Sequence, residues 1–286
     1  MWRAAAKKAL YRLGRIKEAG WFWAPVSAAD VPAAKARPQE RRPEPAGAED
    51  LPAAGGPPRA IEPHAPQHFD VLFEDSHLLA VNKPSGLPTL PGGGFMENTL
   101  LHLVQKQFPN ANPAHRLGRA TTGIVLFAKT AQAASRLFAD WNTPKIQKIY
   151  RALAQNVATQ DSYEIRTSIG LVPHPLIGSV WAASPNGKPS KSLAKVVSRT
   201  SSTTTFEVSL HSGRPHQIRI HLASIGHPLV GDPLYGATGQ PLENLPGLPG
   251  DGGYLLHAQY LNFHHPVTAE RIHLEAPLPP GFIEPQ

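Results

Sequence analysis

Hydrophobic and polar positions change their period several times between Phe69 and Leu274, and each change marks an element. Val71 to Phe73 and Leu78 to Val81 flank the polar Glu74, Asp75 and Ser76, which predicts two short strands around a turn. Asn82 to Gly86 then stops the second strand, because proline removes a donor and glycine opens positive φ. Asn98 is placed to cap a helix through Phe108, with Leu100, Leu101, Val104 and Phe108 at helical spacing and Pro109 beyond its end. Gly123 to Lys129 is a compact apolar run, the mark of a strand buried on both faces. Thr130 caps a second helix whose shared face carries Ala134, Leu137, Phe138 and Trp141. The next stretch, QKIYRALAQ, alternates and sends Ile149, Arg151 and Leu153 to one side, Tyr150, Ala152 and Ala154 to the other. Tyr150 therefore stands among small residues, which suits either a core tyrosine with its hydroxyl at the edge or a ring with room above it for another flat group.

From Asp161 to Ser192 the spacing loosens, with four prolines in loops that yield no assignment. Two strands follow, Leu193 to Arg199 and Thr203 to His211, the latter turning Phe206, Val208 and Leu210 inward. The stretch from Gly213 to Gly226 begins as a turn and continues as a helix. Ile218, Leu222 and Ile225 form its buried stripe, and His216, Arg219 and Ala223 recur on another face. Tyr254 to Phe263 and Arg271 to Leu274 read as closing strands. Many strands, few helices and hairpin-length connections predict an α+β domain over 68–286, built on a mixed, mainly antiparallel sheet flanked by helices. Residues 1–67 differ in kind. A short basic segment with Leu10, Leu13 and Ile16 on one side of a helix precedes a Pro/Ala-rich stretch from Pro25 to Pro66. That stretch has too little apolar surface to offset its ordering entropy and reads as a disordered linker.

Charge adds a partner. Lys and Arg number 28 against 21 Asp and Glu, a formal net charge of +7, which favours a polyanion. Without cysteine, disulfides and thiolate metal sites are excluded. No apolar run approaches the roughly 20 residues that a membrane helix needs. His211, His216 and His221 are spaced by five, whereas helical zinc pairs sit at i and i+4 with a carboxylate nearby, so a metal hydrolase fits poorly.

The chemistry gathers in two stretches, AHRLGRATTGIVLFAKT from Ala114 and HSGRPHQIRIHLASIGHPLVGDPLYG from His211. Each crowds arginine and histidine onto a glycine-punctuated turn beside an apolar element. Arg214 and the free amides at the start of the helix within Gly213 to Gly226 make an anion site. With VNKPSGLP, KIYRAL and LLHA, these stretches occur in the order found in RluA-type pseudouridine synthases, and over Phe69 to Pro277 the chain resembles that family. The resemblance implies a pseudouridine synthase-like catalytic domain in the cytoplasm that isomerises uridine in ribosomal or transfer RNA, with no organic cofactor and no metal. It also implies roles: Tyr150 stacking on uracil, Arg219 pairing with the catalytic carboxylate, and Lys83, Arg116, Arg119, Arg214 and His216 meeting RNA. Taken alone, Lys83 reads as a solvated turn lysine. Oligomeric state is left open.

One position departs from the family. Where the motif reads HRLD this chain has Gly118, and no acidic residue occurs between His115 and Gly123. Three readings follow: a carboxylate brought from elsewhere, with Asp232 and Asp75 the candidates; an atypical catalytic route; or a non-catalytic RNA-binding protein on the same fold. A buried Arg219 without an acidic partner would cost several kcal/mol unless phosphate, water or another carboxylate replaced it.

Overall fold

The computed structural model describes residues 62–244 and 252–282. The basic helix expected near Leu10 and most of the linker lie outside the described residues. The last linker positions do not behave as their composition suggests. Ala65 is buried in the core, and the Glu62 carboxylate accepts the Glu97 and Asn98 amides at 2.9–3.0 Å.

Among the described residues the architecture is a ten-stranded mixed sheet, a separate two-stranded hairpin and three helices. Strands β1 (Asp70–Glu74) and β2 (Leu78–Lys83) pair antiparallel around the expected turn. Asp75 shapes that turn by accepting the amides of His77 and Leu78, both at 2.7 Å. Helix α1 (Leu100–Gln107) follows, capped by Thr99, whose hydroxyl accepts from the His102 amide. The cap is not Asn98, because that side chain is engaged by Pro63 and Gln67. Short β3 (Asn112–Pro113) leads through the 114–121 loop into β4 (Thr122–Ala128). As the continuous apolar run predicts, β4 is buried on both faces: Val125 and Phe127 meet α1 on one side, and Ile124, Leu126 and Ala128 meet α2 (Ala131–Asp140) on the other. Thr130 caps α2 as expected, but Phe138 is 58% exposed. The stripe runs through Ala133 and Leu137, and a residue one step further is rotated about 100° from it.

Strand β5 (Gln147–Gln155) sits between β11 (Leu256–His264) and β10 (Thr203–Leu210), with β9 (Ser192–Arg199) and β6 (Ser162–Ile165) beyond. β12 (Arg271–Glu275) pairs with β11. All these pairings are antiparallel except β4 with β11, which meet in parallel through Thr122–His257 and Gly123–Ala258. That contact demands glycine: Gly123 has φ +100°, and a Cβ there would lie 2.3 Å from the Ala258 carbonyl oxygen. The stretch that yields no assignment from sequence holds β6 and the hairpin β7 (Ile169–His174) with β8 (Gly178–Ala183). This hairpin packs through Ile169 and Val180 on Ile220, Ala223, Leu234 and Tyr235. It therefore covers one side of α3 (Gln217–Ser224) while the sheet covers the other through Ile218 and Leu222, so every α3 residue from Gln217 to Ala223 is buried.

Candidate active site

The 114–121 loop is held from below by the turn after β2. The Lys83 ammonium donates to the carbonyls of Pro84, Leu87 and Arg119 at 2.8, 2.8 and 3.0 Å. The Gly86 amide also reaches the Arg119 carbonyl, the Ser85 hydroxyl reaches that of Ala120, and Thr89 brackets Leu117 with two hydrogen bonds. Lys83 is thus fully buried, and the expectation that it faces RNA is corrected: its charge ties two loops together. Burial pulls its pKa down to about 7, while three carbonyl acceptors favour keeping all three protons in place. His115 of the same motif turns to the α2 side, stacking on Trp141 at 4.4 Å and accepting the Leu126 amide.

Facing this loop, α3 presents Arg219. Its Nε and Nη2 each donate to Asp232 at 2.7 Å, a two-pronged ion pair with both side chains buried. Asp232 Oδ1 also accepts the amides of Leu234 and Tyr235. The guanidinium lies between two rings, 4.9 Å from the Tyr235 centroid and 4.3 Å from that of Tyr254. Tyr254 reaches the loop: its hydroxyl is 3.2 Å from Thr121 Oγ1, and a Cβ on Gly118 would lie 2.8 Å from it. Gly118 and Arg219 are thereby joined through Tyr254, a residue that the strand pattern alone does not single out.

Tyr150 on β5 is half-buried and packs on both halves of the core, the one containing Leu117 and the one containing Ala120, Ile218 and Tyr254. Its hydroxyl pKa is pushed up to about 12 by burial, so the phenol is neutral. His216 precedes α3 in the left-handed region, φ 55°, with Nδ1 2.7 Å from the Tyr235 hydroxyl, which donates on to the Trp181 carbonyl. Burial, then the charges of Arg219 and Arg116, lower the His216 pKa to about 3, with Asp232 opposing. Arg116 is exposed and close enough for its charge to act on that ring. Arg119 instead lies over the Phe95 ring at 5.4 Å, and the Arg214 guanidinium approaches the Pro189 carbonyl at 3.4–3.5 Å. The anion site expected at the start of α3 is reduced, because the Arg214 amide is taken by Gln217 Oε1. Of the two carboxylate candidates, Asp75 belongs to the β1–β2 turn, where it also pairs with His265. Asp232 is at the site, but both its oxygens are committed to Arg219.

A sequence model described as RNA pseudouridylate synthase matches residues 77–224. An uncharacterised RNA pseudouridine synthase of Synechocystis is 42% identical over 228 residues, covering 79% of this chain and 78% of its own length. The chain belongs to the RNA pseudouridine synthase family. Family members are isomerases that act on RNA. RNA pseudouridine synthase 5 of Arabidopsis thaliana is 39% identical over 77% of this chain and 74% of its own length. A ribosomal large subunit pseudouridine synthase D of Nitrosomonas europaea is 36% identical over 73% of this chain and 62% of its own. The human RNA pseudouridylate synthase domain containing 1 shares the fold, with a TM-score of 0.58, 22% identity and coverage of 76% and 86%. Among the described residues no helix is long and apolar enough to cross a membrane.

The sequence motifs single out Gly118, Tyr150 and Arg219 and offer Asp232 as a candidate carboxylate, but they miss one partner, Tyr254. Asp232 is legible as part of GDPLYG, although its turn-forming preference hides the ion pair. Tyr254 has a single cue, its place just before the LLHA motif, and nothing in its spacing ties it to Gly118.

Proposed function

We propose that this chain converts uridine to pseudouridine in ribosomal or transfer RNA, in the cytoplasm, without an aspartate at position 118. In this reading the bond from ribose C1′ to uracil N1 breaks, the uracil turns, and C1′ joins C5. The C5 proton is lost and N1 gains one, so the sum is an isomerisation. The target nucleoside must leave its stack to reach such a site. Tyr150 is the platform for the extruded uracil, Arg219 the fixed positive charge beside it, and Arg116 and His216 line the approach for the neighbouring backbone. The observation that carries the reading is the half-buried Tyr150 ring, which packs on both halves of the core, the one that includes Leu117 and the one that includes Ile218 and Tyr254. The name of the Nitrosomonas relative favours large-subunit ribosomal RNA over transfer RNA.

A second reading, RNA binding without modification, draws on one observation: Gly118 has no side chain, and the carboxylate nearest Arg219 is fully engaged. Both are tested by incubating the protein and its Gly118→Asp variant with unmodified ribosomal and transfer RNA transcripts and mapping pseudouridine chemically. Product from the natural protein supports the first reading. Salt-sensitive binding with no product, or product from the aspartate variant alone, supports the second.

A further inference from the structure

Gly118 is not a glycine of backbone necessity. Tight turns elsewhere in the chain, such as Gly86 and Gly231, use positive φ; Gly118 does not. What an added Cβ would meet is a side-chain tip, the Tyr254 hydroxyl at 2.8 Å, followed by Thr121 Oγ1 at 3.4 Å. The absent side chain and the tyrosine therefore occupy the same place. Position 118 is exposed, so that place opens toward the region where substrate must lie, whereas Tyr254 itself is only 6% exposed. The phenol is fixed from two sides, by its ring on the Arg219 guanidinium and by its hydroxyl near Thr121. A phenolic hydroxyl has one proton to donate and two lone pairs, so the Thr121 contact leaves capacity for a further partner.

On this basis, and resting on the function proposed above, we propose that Tyr254 is a catalytic residue: its hydroxyl meets the ribose of the extruded uridine where a side chain at position 118 would otherwise reach. It hydrogen-bonds the sugar oxygens and, through Arg219, is held against the anchored Asp232. Gly118 and Tyr254 then form one unit. An acidic side chain at 118 and a tyrosine at 254 compete for one volume, while a smaller group at 254 makes room.

The test is steady-state turnover on unmodified ribosomal and transfer RNA transcripts, with pseudouridine quantified for the natural protein, Tyr254→Phe, Gly118→Asp and the Gly118→Asp/Tyr254→Phe double variant. Melting temperature and RNA affinity are measured alongside. Tyr254→Phe keeps the ring on Arg219 and removes only the hydroxyl, so it should melt and bind RNA like the natural protein while kcat falls about a hundredfold with KM unchanged. The double variant should recover activity over Tyr254→Phe, since phenylalanine vacates the space that the aspartate needs. Turnover by Tyr254→Phe within twofold of the natural protein would overturn the role of Tyr254 and leave the proposed function standing. Loss of kcat accompanied by an equal loss of melting temperature or RNA affinity would overturn it too, in favour of a structural role. A natural protein that forms no pseudouridine on any transcript would remove the proposed function, and this inference with it.

Discussion

Replacing Asp232 by asparagine leaves shape almost unchanged and removes one charge, which isolates the electrostatic anchor of the site. In the folded chain, Asp232 faces four donors: Nε and Nη2 of Arg219 at 2.7 Å and the amides of Leu234 and Tyr235 at 2.9 and 3.1 Å. Three of the four fall on Oδ1, so an asparagine must keep its oxygen there and turn its NH₂ toward Nε. Donor then faces donor, and the guanidinium loses its countercharge in a place where only 2% of the Arg219 side chain and 1% of that of Asp232 are exposed. Removing one partner of a buried pair costs about 3–5 kcal/mol, much of it the penalty of the stranded charge. In a domain of this size each kcal/mol lowers the melting temperature by about 2–4 °C, so Asp232→Asn should melt roughly 6–20 °C lower. A paired replacement, Arg219→Met with Asp232→Asn, should recover part of that loss, because no charge is then left buried and the asparagine oxygen still accepts the Leu234 and Tyr235 amides. Thermal and urea unfolding of the two single variants and the double variant close the cycle. An Asp232→Asn protein melting within about 2 °C of the natural one would refute the reasoning, since so small a shift leaves less than ~1 kcal/mol for the ion pair.

Further outcomes follow from the same structure. Lys83→Met should lower stability by about 2–6 kcal/mol in urea unfolding, because the Pro84 and Leu87 carbonyls lose their ammonium donor, at about 1–3 kcal/mol each. Gly123→Ala should cost about 2–4 kcal/mol in the same assay, since its Cβ would collide with the Ala258 backbone at a left-handed φ. Burial holds His221 and His257 near pKa 4, below the 6.5 of an exposed ring. Their folded pKa values are depressed, so the unfolded chain binds more protons between pH 6.5 and 4 and stability falls on acidification through that window. His257→Gln should flatten the dependence of the urea midpoint on pH there by up to about one proton. Arg116→Ala should weaken RNA binding and reduce the log-log salt slope by roughly 0.7, the amount for one single-strand phosphate contact, in filter binding across a salt series.

Local pattern was sufficient for most of the fold. β4, β5 and β10 announce themselves by a continuous apolar run or by strict alternation, and Thr130 by its place before a helical stripe, because burial on one face or two imposes those periods directly on neighbouring residues. The β7–β8 hairpin escaped because Pro173 interrupts β7, Pro175 follows in the turn, and the pair packs on a helix instead of joining the main sheet. Phe138 and Asn98 were misplaced by one step, the error to which a 3.6-residue period and adjacent capping residues are most prone.

The site divides in the same way. Arg219, Tyr150 and Gly118 stand in stretches whose residue types and order carry the family resemblance, so they were readable along the chain. That Lys83 is buried, that Asp232 and not a motif aspartate neutralises Arg219, and that the Tyr254 hydroxyl fills the space beside Gly118 are all decided by approach between distant segments. A pattern along the chain records which face each residue turns inward. Which charge or hydroxyl it meets there depends on how the sheet brings the elements together, and only the folded chain expresses that.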